Sequence, residues 1–137
     1  MNDALLEFAE IDDSGDVRGS SFPVPPQWFA EAFCVRDAHP STIRPGHTRG
    51  DHYHEVRHEI LIVMPAGRWS LHWDSGADTM VQYRKFDGTA AVIIKVPPLS
   101  SHAIRNEGDT DLYVIGLTDG PFDPDSPDTF PRKVSGT

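Results

Sequence analysis

The sequence predicts an all-β domain, a sandwich or small barrel of antiparallel strands, from three observations. Short runs of β-branched and aromatic residues recur with turn signals between them. No stretch keeps a 3.6-residue apolar period for three turns, so long amphipathic helices are excluded. Glycine (11) and proline (12) are abundant for 137 residues, which favours many short strands over helices.

Taken in order, residues 1–28 have weak periodicity, a turn cluster at Arg18-Gly19-Ser20-Ser21 and prolines at 23, 25 and 26. They read as an N-terminal arm with at most one short strand. Residues 29–120 form the barrel, with strands expected at 32–36, 41–44, 51–54, 59–64, 68–73, 79–86, 90–96, 102–105 and 111–118. The breaks carry His39-Pro40, Pro45-Gly46, Asp74-Ser75-Gly76, Asp87-Gly88 and Pro97-Pro98, among others. Residues 121–137 hold four prolines and form an extended tail, excluded from helix and from any central strand.

Length allows one domain. The net charge of −9 argues against nucleic acid and anionic membrane as partners. It is unevenly spread: residues 1–35 carry one basic residue against seven acids, 36–105 nine against seven, and 106–137 two against seven. A mildly positive middle can therefore hold an anionic small molecule inside an acidic protein. No apolar run reaches membrane-spanning length, and the acidic N-terminus lacks the basic residues of a targeting signal, so a soluble cytoplasmic protein is expected. The single cysteine, Cys34, excludes an intrachain disulfide and reads as a small buried hydrophobe. Exposed sheet edges favour a homodimer.

His52 and His54 flank Tyr53, and on a strand such residues project from the same face. Glu59 follows at the start of the next strand and His102 opens a later one, which makes a three-histidine, one-carboxylate set for one divalent metal ion. Zinc, manganese, iron and nickel all suit these donors. His58, adjacent to Glu59, points to the opposite face.

These residues carry a resemblance. Gly46, His52-Tyr53-His54, Glu59 and Gly67 resemble the first motif of the cupin superfamily; Pro97, Leu99, His102 and Asn106 resemble the second. Leu99 stands where that motif usually has glycine, and Gly88 lies further from Pro97 than usual. The resemblance spans roughly residues 40–120 and implies a double-stranded β-helix barrel with the metal inside. Arg49-Gly50-Asp51-His52-Tyr53-His54 is similar to the signature of cupins that act on nucleotide-linked 4-keto sugars. The stretch from Phe122 to Phe130 is similar to the end of the cupin domain in capsular polysaccharide assembly proteins, which join an epimerising cupin to a reductase for which this length has no room. Sugar 3,4-ketoisomerase cupins share the His-x-His pair but usually have glutamine at the position of Glu59. A carboxylate completes a metal site, whereas glutamine leaves the histidines free as acid and base.

The implied reaction is epimerisation or keto-isomerisation through an enediolate. His72, Tyr113 and Lys95 are the candidate proton carriers, with Tyr83 behind them. In the run 68–73 either Trp69, Leu71 and Trp73 face inward or Ser70 and His72 do, and the apolar set is the expected core. Arg49 and Arg105 are candidate contacts to an anionic diphosphate. The same metal ligands also suit a non-heme iron dioxygenase, or a cupin that binds a sugar without turnover.

Overall fold

The computed structural model describes residues 5–29 and 32–136; residues 1–4 of the expected arm, 30–31 near the arm–barrel boundary and 137 of the tail lie outside them. The described residues form ten strands: β1 (Glu7–Ile11), β2 (Asp37–Ile43), β3 (Thr48–Tyr53), β4 (Glu59–Val63), β5 (Trp69–Trp73), β6 (Gln82–Phe86), β7 (Ala91–Val96), β8 (His102–Asn106), β9 (Leu112–Thr118) and β10 (Phe130–Pro131). Among the described residues the only helical piece is a 3-10 turn at Pro26–Trp28, and no helix is long and apolar enough to cross a membrane.

The strands make two five-stranded sheets, β1-β7-β4-β9-β2 and β10-β3-β8-β5-β6. Four antiparallel pairs are nested, β5 with β6, β4 with β7, β3 with β8 and β2 with β9. One long hairpin is thereby wrapped into a two-sheet barrel, the jelly roll of the cupin fold.

Strand alternation builds the interior. Leu61, Val63, Val92, Ile94, Leu112 and Val114 of the first sheet meet Trp69, Leu71, Trp73, Phe86 and Ile104 of the second. Trp69 and Phe86 stack at 4.2 Å between ring centroids. Fully burying side chains of this size is worth about 1.5–3 kcal/mol each, which fixes Trp69, Leu71 and Trp73 inward and sends Ser70 and His72 out. On the outer face of the first sheet, Ile11, Ile60, Ala91 and Ile93 are covered by Phe22, Val24, Trp28 and Phe33. The N-terminal segment thus adds an edge strand and also shields an apolar sheet face.

Three local expectations are corrected. Residues 32–36 form no strand, and Cys34 is exposed, because the apolar residue of that run which finds a partner surface is Phe33. The strand begins instead at Asp37 and runs through His39-Pro40, read from sequence as a break, since Asp37–Ile43 pairs residue by residue with Leu112–Thr118. Pro40 is tolerated because β2 is an edge strand, where an absent N–H disrupts no second ladder. The strand expected at 79–86 covers only Gln82–Phe86. The tail lies on the barrel, and its short strand β10 caps the edge of β3.

Candidate metal centre and its cavity

The centre is assembled at one end of the barrel, where β3 finishes and β4 and β8 begin. Its decisive local feature is a bulge in β3. Thr48, Arg49 and Gly50 pair with Arg105, Ile104 and Ala103, but His52, not Asp51, pairs with His102. One inserted residue reverses the parity of everything after it. Were Asp51 paired in the regular ladder, His52 and His54 would lie on the face opposite Arg49; because it is bulged out, they turn into the barrel.

Gly50 and Asp51 are suited to this distortion. Gly50 has φ +110°, and a Cβ there would stand 2.4 Å from the His102 carbonyl oxygen, so no other residue fits without displacing backbone. Asp51 occupies the left-handed region at φ 57°. Its carboxylate accepts hydrogen bonds from the Val134 and Ser135 amides at 2.8 and 2.9 Å and from the Ser135 hydroxyl at 2.6 Å. Burial opposes the charge of Asp51, but these bonds and Lys133 outweigh it and hold its pKa below the ordinary aspartate value.

One ligand atom from each of His52, His54, Glu59 and His102 lies within 4.8 Å of the others. Glu59 Oε1 is 3.0 Å from His102 Nε2 and 3.5 Å from His54 Nε2. Both rings are oriented from behind: His54 Nδ1 donates to the Asp128 carbonyl at 2.8 Å and His102 Nδ1 to the Ser100 carbonyl at 3.3 Å. With hydrogens on Nδ1, each Nε2 presents a lone pair to the centre. Those contacts to Glu59 are then lone pair against carboxylate, and His54 Nε2 and Glu59 Oε1 are buried without a hydrogen-bond partner. Each such orphan costs about 1–3 kcal/mol. A divalent cation among the four donors would relieve both, so the residues fit a metal ion.

The electrostatics differ from ring to ring. Burial, then the neighbouring His102 and His54, lowers the His52 pKa to about 4, so this ring is neutral and competent as a ligand at pH 7. Burial also pulls on His54, but Glu59 and the Asp128 carbonyl outweigh it and raise the pKa. Burial alone would lift the Glu59 carboxyl; His102 and His54 instead hold it well below the usual carboxylate range.

Above the four donors opens a cavity of about 540 Å³, within the size range of small-molecule sites. Leu61, Ile104 and Val114 form an apolar floor, and Arg49 stands in the wall, its Nε donating to the Thr42 carbonyl at 2.8 Å.

The tail closes one side. Asp128 accepts from the amides of Glu55, Val56 and Arg57 at 2.8, 3.2 and 3.0 Å. Arg57, almost buried, donates to the Pro127 carbonyl and the Thr129 hydroxyl, both at 3.0 Å. Sequence reasoning left this behind-the-site role of Arg57 and Asp128 unassigned, because it joins residues some seventy positions apart. It also passed over Asp37 and His39, which line the cavity; the Asp-x-His spacing was the available signal, hidden by reading His39-Pro40 as a turn.

The structure does not bring the expected proton carriers to this cavity. Tyr113 is exposed on β9, alternating with the inward Leu112 and Val114. Lys95 alternates with the inward Ile94 and Val96 on β7. His72 lies in a separate cleft of about 330 Å³ with Ser70, Tyr83, Lys85 and Glu107. There its Nε2 is 2.9 Å from the Ser70 hydroxyl, and burial lowers its pKa. Arg105 faces away from His102 and Ile104 and donates to the Thr48 hydroxyl at 3.3 Å. His58 bonds Asp119 at 2.9 Å outside the cavity.

Comparison with known proteins follows the geometry. Capsular polysaccharide assembling protein CapF from Staphylococcus aureus superposes with a TM-score of 0.66 at 25% identity, over 90% of this chain and 34% of that one. The chain thus spans about a third of CapF's length. A mutant of the 3,4-ketoisomerase QdtA from Thermoanaerobacterium thermosaccharolyticum, in complex with TDP-4-keto-6-deoxyglucose, gives 0.68 at 17% identity over 91% of this chain and 86% of that one. A dTDP sugar isomerase from Desulfovibrio desulfuricans gives 0.76 at 13% identity over 96% and 85%. These last two share the fold. No curated protein sequence matches the chain. The family model described as polysaccharide biosynthesis C-terminal domain matches residues 31–130, which takes in the bulge, all four donors and the tail residues behind His54, and the chain belongs to that family.

Proposed function

We propose that the protein is a metal-dependent cupin enzyme acting on a nucleotide-linked 4-keto sugar, by epimerisation or keto-isomerisation, in polysaccharide or deoxysugar biosynthesis. The observation that carries this reading is the convergence of His52, His54, Glu59 and His102, two of whose atoms are buried without partners, at the foot of an open cavity. His52, His54, Glu59 and His102 would hold the ion. A divalent metal supplies Lewis-acid polarisation of a carbonyl oxygen, as enediolate chemistry needs.

The protein's own residues do the rest. Asp128 and Ser100 fix the His54 and His102 tautomers. Arg49, permanently charged and forked, can meet an anionic group at the wall. Leu61, Ile104 and Val114 keep the inner end apolar and so exclude water from a carbanion-like intermediate. The match to CapF, and the sugar nucleotide held by QdtA, support a substrate of that class.

The test is elemental analysis of the purified protein, then deuterium uptake from heavy water into TDP-4-keto-6-deoxyglucose with and without chelator. Stoichiometric metal with chelator-sensitive uptake is expected. Bound iron, no uptake and oxygen consumption with other substrates would assign a dioxygenase instead. Tight sugar-nucleotide binding without turnover would assign a binding protein.

A further inference from the structure

Removing a proton from carbon requires a base, and the four metal donors are poorly placed to supply it because their lone pairs point at one centre. Among the other cavity-lining side chains, Arg49 and Arg57 are permanently charged and the hydroxyls do not titrate near neutrality. Asp37 and His39 remain.

They form a dyad. Both stand on β2, two residues apart and therefore on one face, and His39 Nδ1 donates to Asp37 Oδ2 at 2.8 Å. That bond puts the ring hydrogen on Nδ1 and leaves Nε2 with a free lone pair. The carboxylate side chain is 22% exposed and the imidazole 67%, so an inner group anchors an outer one at the opening. Phe122 stands edge-on to the ring at 6.4 Å between centroids and limits its swing.

Register places the dyad opposite the metal donors. Asp37 pairs with Thr118, which pairs with Glu59; His39 pairs with Gly116, which pairs with Leu61. Two strand spacings separate β2 from β4, about 10 Å. The residue between His39 and Leu61 has no side chain. A Cβ on Gly116 would stand 3.4 Å from both Glu59 Oε2 and Leu61 Cδ2, so glycine keeps the floor clear between base and centre.

Resting on the 4-keto sugar reading, we propose that His39, oriented by Asp37, is the general base that takes the proton from the carbon beside the sugar's ketone. The C–H bond breaks and a bond from that hydrogen to Nε2 forms. The electron pair becomes the second bond of a carbon–carbon double bond, and the former ketone oxygen carries the negative charge. On reversal the pair returns to carbon, which takes a hydrogen from the imidazolium. In heavy water the exposed ring exchanges first, so carbon acquires deuterium. Asp37 is a positioning residue, holding the tautomer and stabilising the charged ring.

The experiment compares wild type, His39→Gln and Asp37→Asn, metal-loaded, by deuterium uptake into TDP-4-keto-6-deoxyglucose and its UDP-linked counterpart. Metal content and thermal midpoint are measured on each. His39→Gln is expected to lose at least about a hundredfold in rate, with metal and midpoint unchanged, since a two-thirds exposed ring contributes little to folding. Asp37→Asn is expected to lower the saturated rate by a smaller factor with KM unaltered, a split that general loosening of the strand would not produce. Uptake by His39→Gln at the wild-type rate overturns the base and leaves the sugar reading standing. Loss of metal along with rate also overturns it, because His39 is not one of the donors. No uptake by metal-loaded wild type with either sugar overturns both.

Discussion

The two faces of the second sheet carry the same kinds of residue and behave differently. Its inner face presents His52 and His102, rings 5.0 Å apart, with His54 and Glu59 closing around them. Its outer face presents His72 stacked on Tyr83 at 5.8 Å, with Lys85 and Arg105 on neighbouring positions. On the inner face of this sheet both imidazoles belong to one converging donor set. On the outside His72 meets the Ser70 hydroxyl and the Tyr83 ring, and among the described residues no carboxylate is hydrogen-bonded to it. Titratable composition is therefore a poor guide to chemistry; which face the side chains occupy decides it. Strand parity sets that face, and in β3 parity is set by the single extra residue Asp51.

Replacing Gly50 and Asp51 together by valine is the most direct way to break the distinction. β-Branched residues resist the positive φ of both positions, and a straightened strand would pair residue 51 with His102 and turn His52 and His54 outward. The expected result is complete loss of bound metal by elemental analysis and a large fall in thermal midpoint. The milder Gly50→Ala keeps the register but forces a Cβ to 2.4 Å from backbone at φ +110°. It is expected to cost about 1–3 kcal/mol in chemical denaturation, with weakened metal retention.

Next in size is Glu59→Gln, which keeps the shape of the centre and removes its charge. Metal and deuterium uptake should disappear together, read by elemental analysis and by NMR of the sugar. A substituted protein that kept its rate without metal would belong with cupins whose histidines act as acid and base.

The contrast between the faces also shows what a sequence can tell. His52-Tyr53-His54, Glu59 and His102 were legible because donor chemistry and strand spacing restrict them strongly. The two-sheet architecture was legible from regular β-rich runs and turn signals. No proton carrier is legible in the same way: His72, Lys95 and Tyr113 rest on residue type alone, and alternation against the apolar residues beside them turns all three from the cavity. His39 was passed over because proline follows it, although an edge strand tolerates proline. Cys34 was misplaced for the converse reason: an apolar run does not guarantee burial when only Phe33 in it reaches a partner surface. For the tail the sequence predicts only an extended segment, because its links to Asp51, Asp74 and His54 join residues 58 to 83 positions apart and leave no local pattern.

That tail gives a smaller, pH-dependent effect. Asp51, Asp74 and Asp128 each anchor it: Asp51 through Ser135 and Val134, Asp74 through Arg132 at 2.8 Å, and Asp128 through the amides of residues 55–57. Burial opposes ionisation of all three, yet these partners outweigh it and leave each pKa below the ordinary aspartate value. A carboxyl depressed in the folded state stabilises fully above its unfolded pKa, about 3.9, and loses that contribution as pH falls through the folded value. Stability should therefore hold at pH 5 and fall below pH 4. Amide exchange at 127–136 is expected to rise there before exchange in β4, β7 and β9 does.

The smallest effect sharpens the comparison from the other side. His72→Ala removes a ring of the outer cleft, on the face of β5 opposite Trp69, Leu71 and Trp73. It loses one hydrogen bond to Ser70 and the stacking on Tyr83. A surface change of this kind shifts stability by about 0.5–1 kcal/mol. Metal content and deuterium uptake should match wild type, because β5 turns Trp69, Leu71 and Trp73 toward the interior and shields the donors from anything on its far side. A tenfold loss of uptake in His72→Ala with metal retained would mean that the outer cleft takes part in the reaction, and that parity does not separate the two faces.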